Sequence, residues 1–241
     1  MNSEPGIQDL AHSGHFAEQG FEILTGLLSY DECGALAKEL SVIYEREQNR
    51  VQNKIGGVRN LLRQSSQVSE LASSEKLKNV LKERLGNPGF PVRALFFDKT
   101  SEANWHVPWH QDLTIAVAEK IESANFHAWS IKDDVLHVQP SREILESMAT
   151  IRIHLDNCNL SNGALKIIPR SHAHGKLTSA KISDWMKENT FVCEASAGSA
   201  LLMRPLLLHS SSPAKTPSHR RVLHIEYATR DLPNGLKWFD S

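Results

Sequence analysis

The chain has 241 residues and a mass of 27.0 kDa, enough for one large domain or two small ones. Its 40% hydrophobic and 23% charged content is ordinary globular usage, which argues against a disordered or fibrous chain. With 27 basic and 28 acidic residues the formal net charge is −1, so the basic excess that nucleic acid or a membrane surface calls for is missing.

No apolar run approaches the roughly 20 residues of a membrane-spanning helix. The opening MNSEPGIQDLAHSGH lacks the charged-then-apolar build of a secretory signal. Cys33, Cys158 and Cys193 are odd in number and widely spaced, which suggests reduced thiols in a cytoplasmic protein. No protein partner is evident. Histidine, at 12 residues, is the unusual count.

Residues 1–15 are polar and are expected to form a flexible N-terminus; residues 16–241 then read as a single domain. GFEILTGLL predicts a short strand and turn. Ser29 opens a helix, with Glu32 completing a capping box. Leu36, Leu40 and Ile43 carry the helical period to about Gln48. NRVQNKIGG has no apolar period and ends in paired glycines, so it reads as a loop. A second helix is predicted from about Ser74 to Leu85, with Leu77, Val80, Leu81 and Leu85 on one face and Gly86 as its stop.

After Pro91 the pattern changes to short β-like runs: VRALFFDK, TIAVA, FHAWSIK, VLHVQ, TIRIHLD, ALKIIP, FVCEA, SALLMRP, LLLHS and RVLHIEYA. Short helices are predicted at about 141–149 and 180–189. About ten strands behind two helices indicate a mainly β (α+β) β-sandwich or jelly roll buttressed by N-terminal helices. Residues 119–149 depart from the strand spacing and read as an insert.

Three separated pieces carry chemistry. In WHQDLT, His110 and Asp112 stand two apart, which in a strand places both on one face. Alone, such a pair is as often a surface pair. His209 closes the apolar run ALLMRPLLLHS and is expected at the rim of a core. In HRRVLHIEYA, alternation puts Arg220, Val222, His224 and Glu226 on one face, and Arg221, Leu223, Ile225 and Tyr227 on the other. A polar face on a central strand should line a cavity, because buried charges need partners. Two histidines and one carboxylate form the facial triad of non-haem Fe(II) oxygenases, which leaves coordination positions open. The same three could hold catalytic zinc, but no general base stands near them.

WHQD, NGALKIIPRSHAHGKL and HSSSPAKTPSHRR together resemble the phytanoyl-CoA dioxygenase family. The pattern is H-x-D, an Asn-Gly turn running into P-x-S-H, then a distal His followed by Ser two residues on and Arg eleven on. GFEILTGLLSYDEC is similar to the family's opening, and the resemblance spans about residues 16–230. It implies a double-stranded β-helix, Fe(II) held by His110, Asp112 and His209, and 2-oxoglutarate held by Arg220 and Ser211, with O2 as second co-substrate and ascorbate as an assay additive. An inward residue near the co-substrate, often Trp, falls here at Arg152. A family Lys falls near Arg59, and a pocket-lining position at Leu95.

The expected activity is oxidation, most simply hydroxylation, of a C–H bond in a small-molecule substrate, with succinate and CO2 released. Retention of Asp112 favours hydroxylation over halogenation. The insert at 119–149, with Trp129 and His137, is expected to act as a substrate lid, and His224 and Glu226 to face the substrate. His172 and His174 read as packing residues of the P-x-S-H segment. The rival readings are a non-catalytic metal- and 2-oxoglutarate-binding protein on the same scaffold and a zinc hydrolase.

Overall fold

A computed structural model describes residues 15–51, 56–121 and 123–240; the expectation for residues 1–14 lies outside these. Strand β1 (Phe21–Leu24) leads into α1 (Tyr30–Val51). The capping box forms as expected: Ser29 N–H donates to Glu32 Oε2 at 2.7 Å and Glu32 N–H to Ser29 Oγ at 3.2 Å. Next come β2 (Gly57–Val58), α2 (Leu61–Gln64), α3 (Ser66–Ala72) and α4 (Glu75–Leu85). Ser74 caps α4 and Gly86 ends it at φ 70°. Helix α1 thus runs three residues past the expected stop, and β2 occupies the end of the expected loop. The period did not reveal α2 and α3, because each is two turns or less.

The strands that follow are β3 (Phe90–Asp98), β4 (Val107–His110), β5 (Ile115–Val117), β6 (His127–Lys132), β7 (Val135–Gln139) and β8 (Ala149–His154). They are completed by β9 (Leu165–Ile167), β10 (Phe191–Cys193), β11 (Ala200–Met203), β12 (His209–Ser211) and β13 (Arg221–Ala228). The antiparallel pairings build a six-stranded sheet, β1-β11-β8-β13-β3-β2, and a four-stranded sheet, β10-β9-β12-β4. A third sheet, β5-β7-β6, stands apart. It joins the two strands of the 119–149 segment to Ile115–Val117, which precedes that segment.

Period-2 alternation decides what each face of the large sheet does. Ala94, Phe96, Ile151, Ile153, Ala200, Leu202, Leu223, Ile225 and Tyr227 point outward into the largest core cluster. There they meet Leu36, Leu40 and Ile43 of α1 and Leu77 and Leu81 of α4. Each fully buried Leu, Ile or Phe among them contributes about 1.5–3 kcal/mol. Leu201 and Met203 point the other way and join Leu165, Ile167 and Leu207 between the two sheets. The helices therefore seal one face of the large sheet, and its other face is left to line the space beneath the small one. Among the described residues, no helix is long and apolar enough to cross a membrane.

Candidate metal and co-substrate site

His110 ends β4 and His209 opens β12, and the antiparallel ladder sets them directly opposite each other. Their ring centres are 4.2 Å apart. Asp112 lies just beyond β4, so strand alternation is not what aims it. Its backbone N–H donates to Pro205 O at 2.9 Å. The buried Gln111 side chain donates to Gly175 O at 2.8 Å and Leu206 O at 2.6 Å and accepts from Leu177 N–H at 2.8 Å. These bonds fold the chain back at the strand end and turn the carboxylate toward both imidazoles. The apolar run before His209 is likewise not one strand. It breaks after Met203, and His209 starts a new strand in the other sheet.

Asp112 Oδ1 is 3.8 Å from His110 Nε2, and Oδ2 is 3.7 Å from His209 Nε2. The three ligand atoms all lie within 4.8 Å of one another. These gaps are too long for hydrogen bonds, but they suit donors sharing one ion at about 2 Å from each. The tautomers agree. His110 Nδ1 meets Pro108 O at 2.8 Å and His209 Nδ1 meets Leu207 O at 2.9 Å. A carbonyl can only accept, so each Nδ1 carries the proton and each Nε2 presents a lone pair to the cluster. Burial, against the pull of Asp112, drives His209 down to about 4, which keeps it in the neutral form a metal needs. Asp112 Oδ2 is buried and has no hydrogen-bond partner among the described residues. An orphaned carboxylate oxygen between two imidazole lone pairs fits a divalent cation.

Ser171, of the P-x-S-H segment, holds this geometry from behind. Its hydroxyl donates to Ile168 O at 2.7 Å and accepts from Leu208 N–H at 2.8 Å, one residue before His209. His172 Nε2 meets Ala17 O at 3.1 Å, which is the packing role expected of it.

Arg220 precedes β13 and is 2% exposed. Its Nη1 donates to Gly163 O at 2.7 Å, and its Nε has no partner among the described residues. Ser211 Oγ donates to the same carbonyl at 3.0 Å. Gly163 belongs to the Asn-Gly turn and sits at φ 84°; a Cβ there would lie 2.7 Å from Ser212 O. The turn therefore needs glycine, and its carbonyl orients both the Arg and the Ser. Lys99 completes the group: wholly buried, its Nζ donates to Ser211 Oγ at 2.7 Å and Ser212 O at 2.6 Å. Burial, then the charges of Arg220 and Arg152, push Lys99 down to about 7. By contrast Arg221 points outward and makes a two-pronged pair with Asp156 at 2.7–2.8 Å, so the register selects Arg220.

The remaining expected residues divide. Arg152, His224 and Glu226 are all buried on the inner face of the large sheet. Arg152 Nη1 reaches His224 Nδ1 at 3.5 Å, and His224 Nε2 lies 3.6 Å from Glu226 Oε1. Glu226 pairs with Arg93 at 3.1 Å. Leu95 lines a cavity of about 670 Å³ with Phe97, Trp105, Arg59 and Asp133. Arg59 itself binds Asp133, at the β6–β7 turn, at 2.5 Å. His137 is buried with Nδ1 on Val135 O at 3.0 Å and, among the described residues, no partner for Nε2; burial and Arg93 push it down to about 4. Trp129 packs on the separate cluster of Ile115, Val117 and Trp238, and Lys120 Nζ lies 5.9 Å from its ring centre.

Sequence reasoning missed Lys99 and Gln111. Arg93, read from the sequence with Arg59 and Arg152 as a possible anion contact, pairs instead with Glu226. The signal for Lys99 was a charge at the end of the apolar run VRALFFDK, where a buried cation needs a reason. For Gln111 there was none beyond its place between two ligands.

The family model for phytanoyl-CoA dioxygenase matches residues 16–222. The chain belongs to the phytanoyl-CoA dioxygenase family. Membership makes it an iron- and 2-oxoglutarate-dependent enzyme by class, and His110, Asp112 and His209 are a ligand set for that metal. The fold is shared with EctD from S. alaskensis, 17% identical at a TM-score of 0.72, covering 95% of this chain and 80% of that one. Another structure of that protein holds 2-oxoglutarate and 5-hydroxyectoine. AviO1 from Streptomyces viridochromogenes is 20% identical at a TM-score of 0.68, covering 95% and 99%. SnoK, a carbocyclase of nogalamycin biosynthesis, is 13% identical at 0.70, covering 95% and 85%. No curated protein matches the sequence.

Proposed function

We propose that this protein is an Fe(II)/2-oxoglutarate-dependent dioxygenase that hydroxylates an unactivated C–H bond of a small organic substrate, with release of succinate and CO2. The reading rests on one observation. His110, Asp112 and His209 converge with both imidazole Nε2 atoms free, while Arg220 lies buried with no carboxylate partner among the described residues. Iron bound there would activate O2 against the co-substrate.

The chain's own residues supply the rest. Arg220 and Ser211, oriented by Gly163 O, bind the far carboxylate of 2-oxoglutarate in a geometry suited to guanidinium. The helices behind the large sheet keep water from that end. The cavity walled by Leu95, Phe97 and Trp105 receives a partly apolar substrate. Retention of Asp112 favours hydroxyl transfer over halogenation.

The test needs no substrate. With Fe(II), ascorbate and air, the wild type should convert 2-oxoglutarate to succinate slowly, and His110→Ala and Asp112→Ala should not. Equal succinate formation by the wild type and both variants would refute the assignment. Tight metal binding with no turnover under any substrate screened would favour the non-catalytic rival.

A further inference from the structure

The inner face of β8 carries two groups that the reading above does not use. Alternation turns Ile151 and Ile153 to the helices and Arg152 and His154 to the interior. Arg152 is 7% exposed, and among the described residues its Nε has no partner and its one hydrogen bond is the 3.5 Å contact with His224. Its guanidinium lies 5.5 Å from the Phe97 ring centre. His154 is 1% exposed, and neither of its ring nitrogens has a partner among the described residues.

Three other enclosed arginines have a carboxylate partner. Arg84 has Glu22 at 3.0 Å, Arg93 has Glu226 at 3.1 Å and Arg221 has Asp156 at 2.7 Å. Arg152 and Arg220 have no ion pair among the described residues. A buried guanidinium without a counter-charge is costly. Two of them on the inner side of one sheet, with Lys99 and an unbonded imidazole beside them, amount to a site built for two negative charges. In the β8–β13 ladder His154 faces Val222 and Arg152 faces His224, so Arg152 lies further along the inner face than His154 from the Arg220 end of β13.

We propose that Arg152 is a second carboxylate anchor, so that a five-carbon dicarboxylate is gripped by a protein guanidinium at each end and binds this chain even without metal. This rests on the reading that the chamber takes 2-oxoglutarate. Arg220 takes the far carboxylate and Arg152 the one nearer the triad. His154, neutral because burial and the neighbouring arginines push it down to about 3, can donate an N–H without adding charge. The two guanidinium charges and the dianion cancel. In a chamber with Arg220 alone, one carboxylate would depend on the metal for its counter-charge.

The experiment uses chelator-treated full-length protein and isothermal titration with 2-oxoglutarate, glutarate and butyrate. Glutarate keeps both carboxylates without the keto group, and butyrate keeps one. Metal-free wild type should bind 2-oxoglutarate and should prefer glutarate to butyrate at least tenfold. Arg152→Gln should weaken glutarate tenfold or more and erase the preference, whereas Arg152→Lys should keep part of it. Arg220→Gln should weaken all three ligands.

If Arg152→Gln binds like wild type while Arg220→Gln does not, the second anchor is refuted and the co-substrate reading stands. If Arg220→Gln also binds like wild type, that reading falls and the anchor falls with it. Should Arg152→Gln fail to fold, the wild-type comparison decides alone: equal affinity for glutarate and butyrate overturns the proposal.

Discussion

Ser171→Ala separates the brace behind the metal site from the ligands themselves. Ser171 is wholly buried and its hydroxyl makes two bonds, to Ile168 O and from Leu208 N–H. Alanine fits the space but leaves Leu208 N–H without its acceptor. A buried unsatisfied group costs about 1–3 kcal/mol, and the lost bond to Ile168 O adds roughly 0.5–1.5. The sum is about 2–4 kcal/mol, or about 4–16 °C of Tm for a chain of this size. Leu208 adjoins His209, so the release should also let that ligand wander. Metal affinity should fall along with stability, although no ligand has been touched. Urea unfolding of the metal-free protein gives the first number, and Fe(II) titration under anaerobic conditions gives the second. A stability loss under 0.5 kcal/mol, or unchanged metal affinity in a variant that is clearly destabilised, would refute the bracing argument.

Gly163→Ala forces a side chain onto a φ of 84° and against Ser212 O; it should cost about 1–3 kcal/mol and raise the 2-oxoglutarate requirement, and normal co-substrate binding would contradict the role given to that carbonyl. Lys99 should impart a pH slope. Its folded value near 7 lies below the ordinary 10.5, so between those values the unfolded chain holds a proton that the folded chain lacks, and stability rises with pH. Denaturation at pH 7 and pH 9 should show Lys99→Met gaining less from the rise than wild type does; parallel gains would refute it. His154 acts in the same direction at lower pH. Its folded value of about 3 lies below the ordinary 6.5, so stability is fully present above 6.5 and drains away toward 3. His154→Gln should flatten that acid limb in a denaturation series.

Local signals were legible where they carry their own chemistry. Ser29 and Glu32 announced α1, Ser74 and Gly86 bounded α4, and the polar face Arg220, His224, Glu226 was readable from alternation alone. The ligand triad was readable because its residue types are scarce and chemically specific. Two of the reasons given for it were wrong. Asp112 is aimed by Gln111 and Pro205 beyond a strand end, and His209 begins a strand where the apolar run suggested an ending. Both depend on where strands break, and apolarity does not report that when turn residues such as Leu206 and Leu207 are themselves buried. Lys99 stayed hidden because its partners, Ser211 and Ser212, lie over a hundred residues away.

The clasp between Arg59 and Asp133 crosses the rim of the large cavity, joining the segment after β2 to the tip of the β6–β7 hairpin. Both partners are over a third exposed, and such a pair is worth at most about 1 kcal/mol and weakens with added salt. The doorway is therefore fastened lightly, while the enclosed Arg93–Glu226 pair on the inner sheet face is screened far less. Ionic strength should set how often the doorway swings and leave that pair alone, so traffic of substrate would respond to salt before the chemistry does.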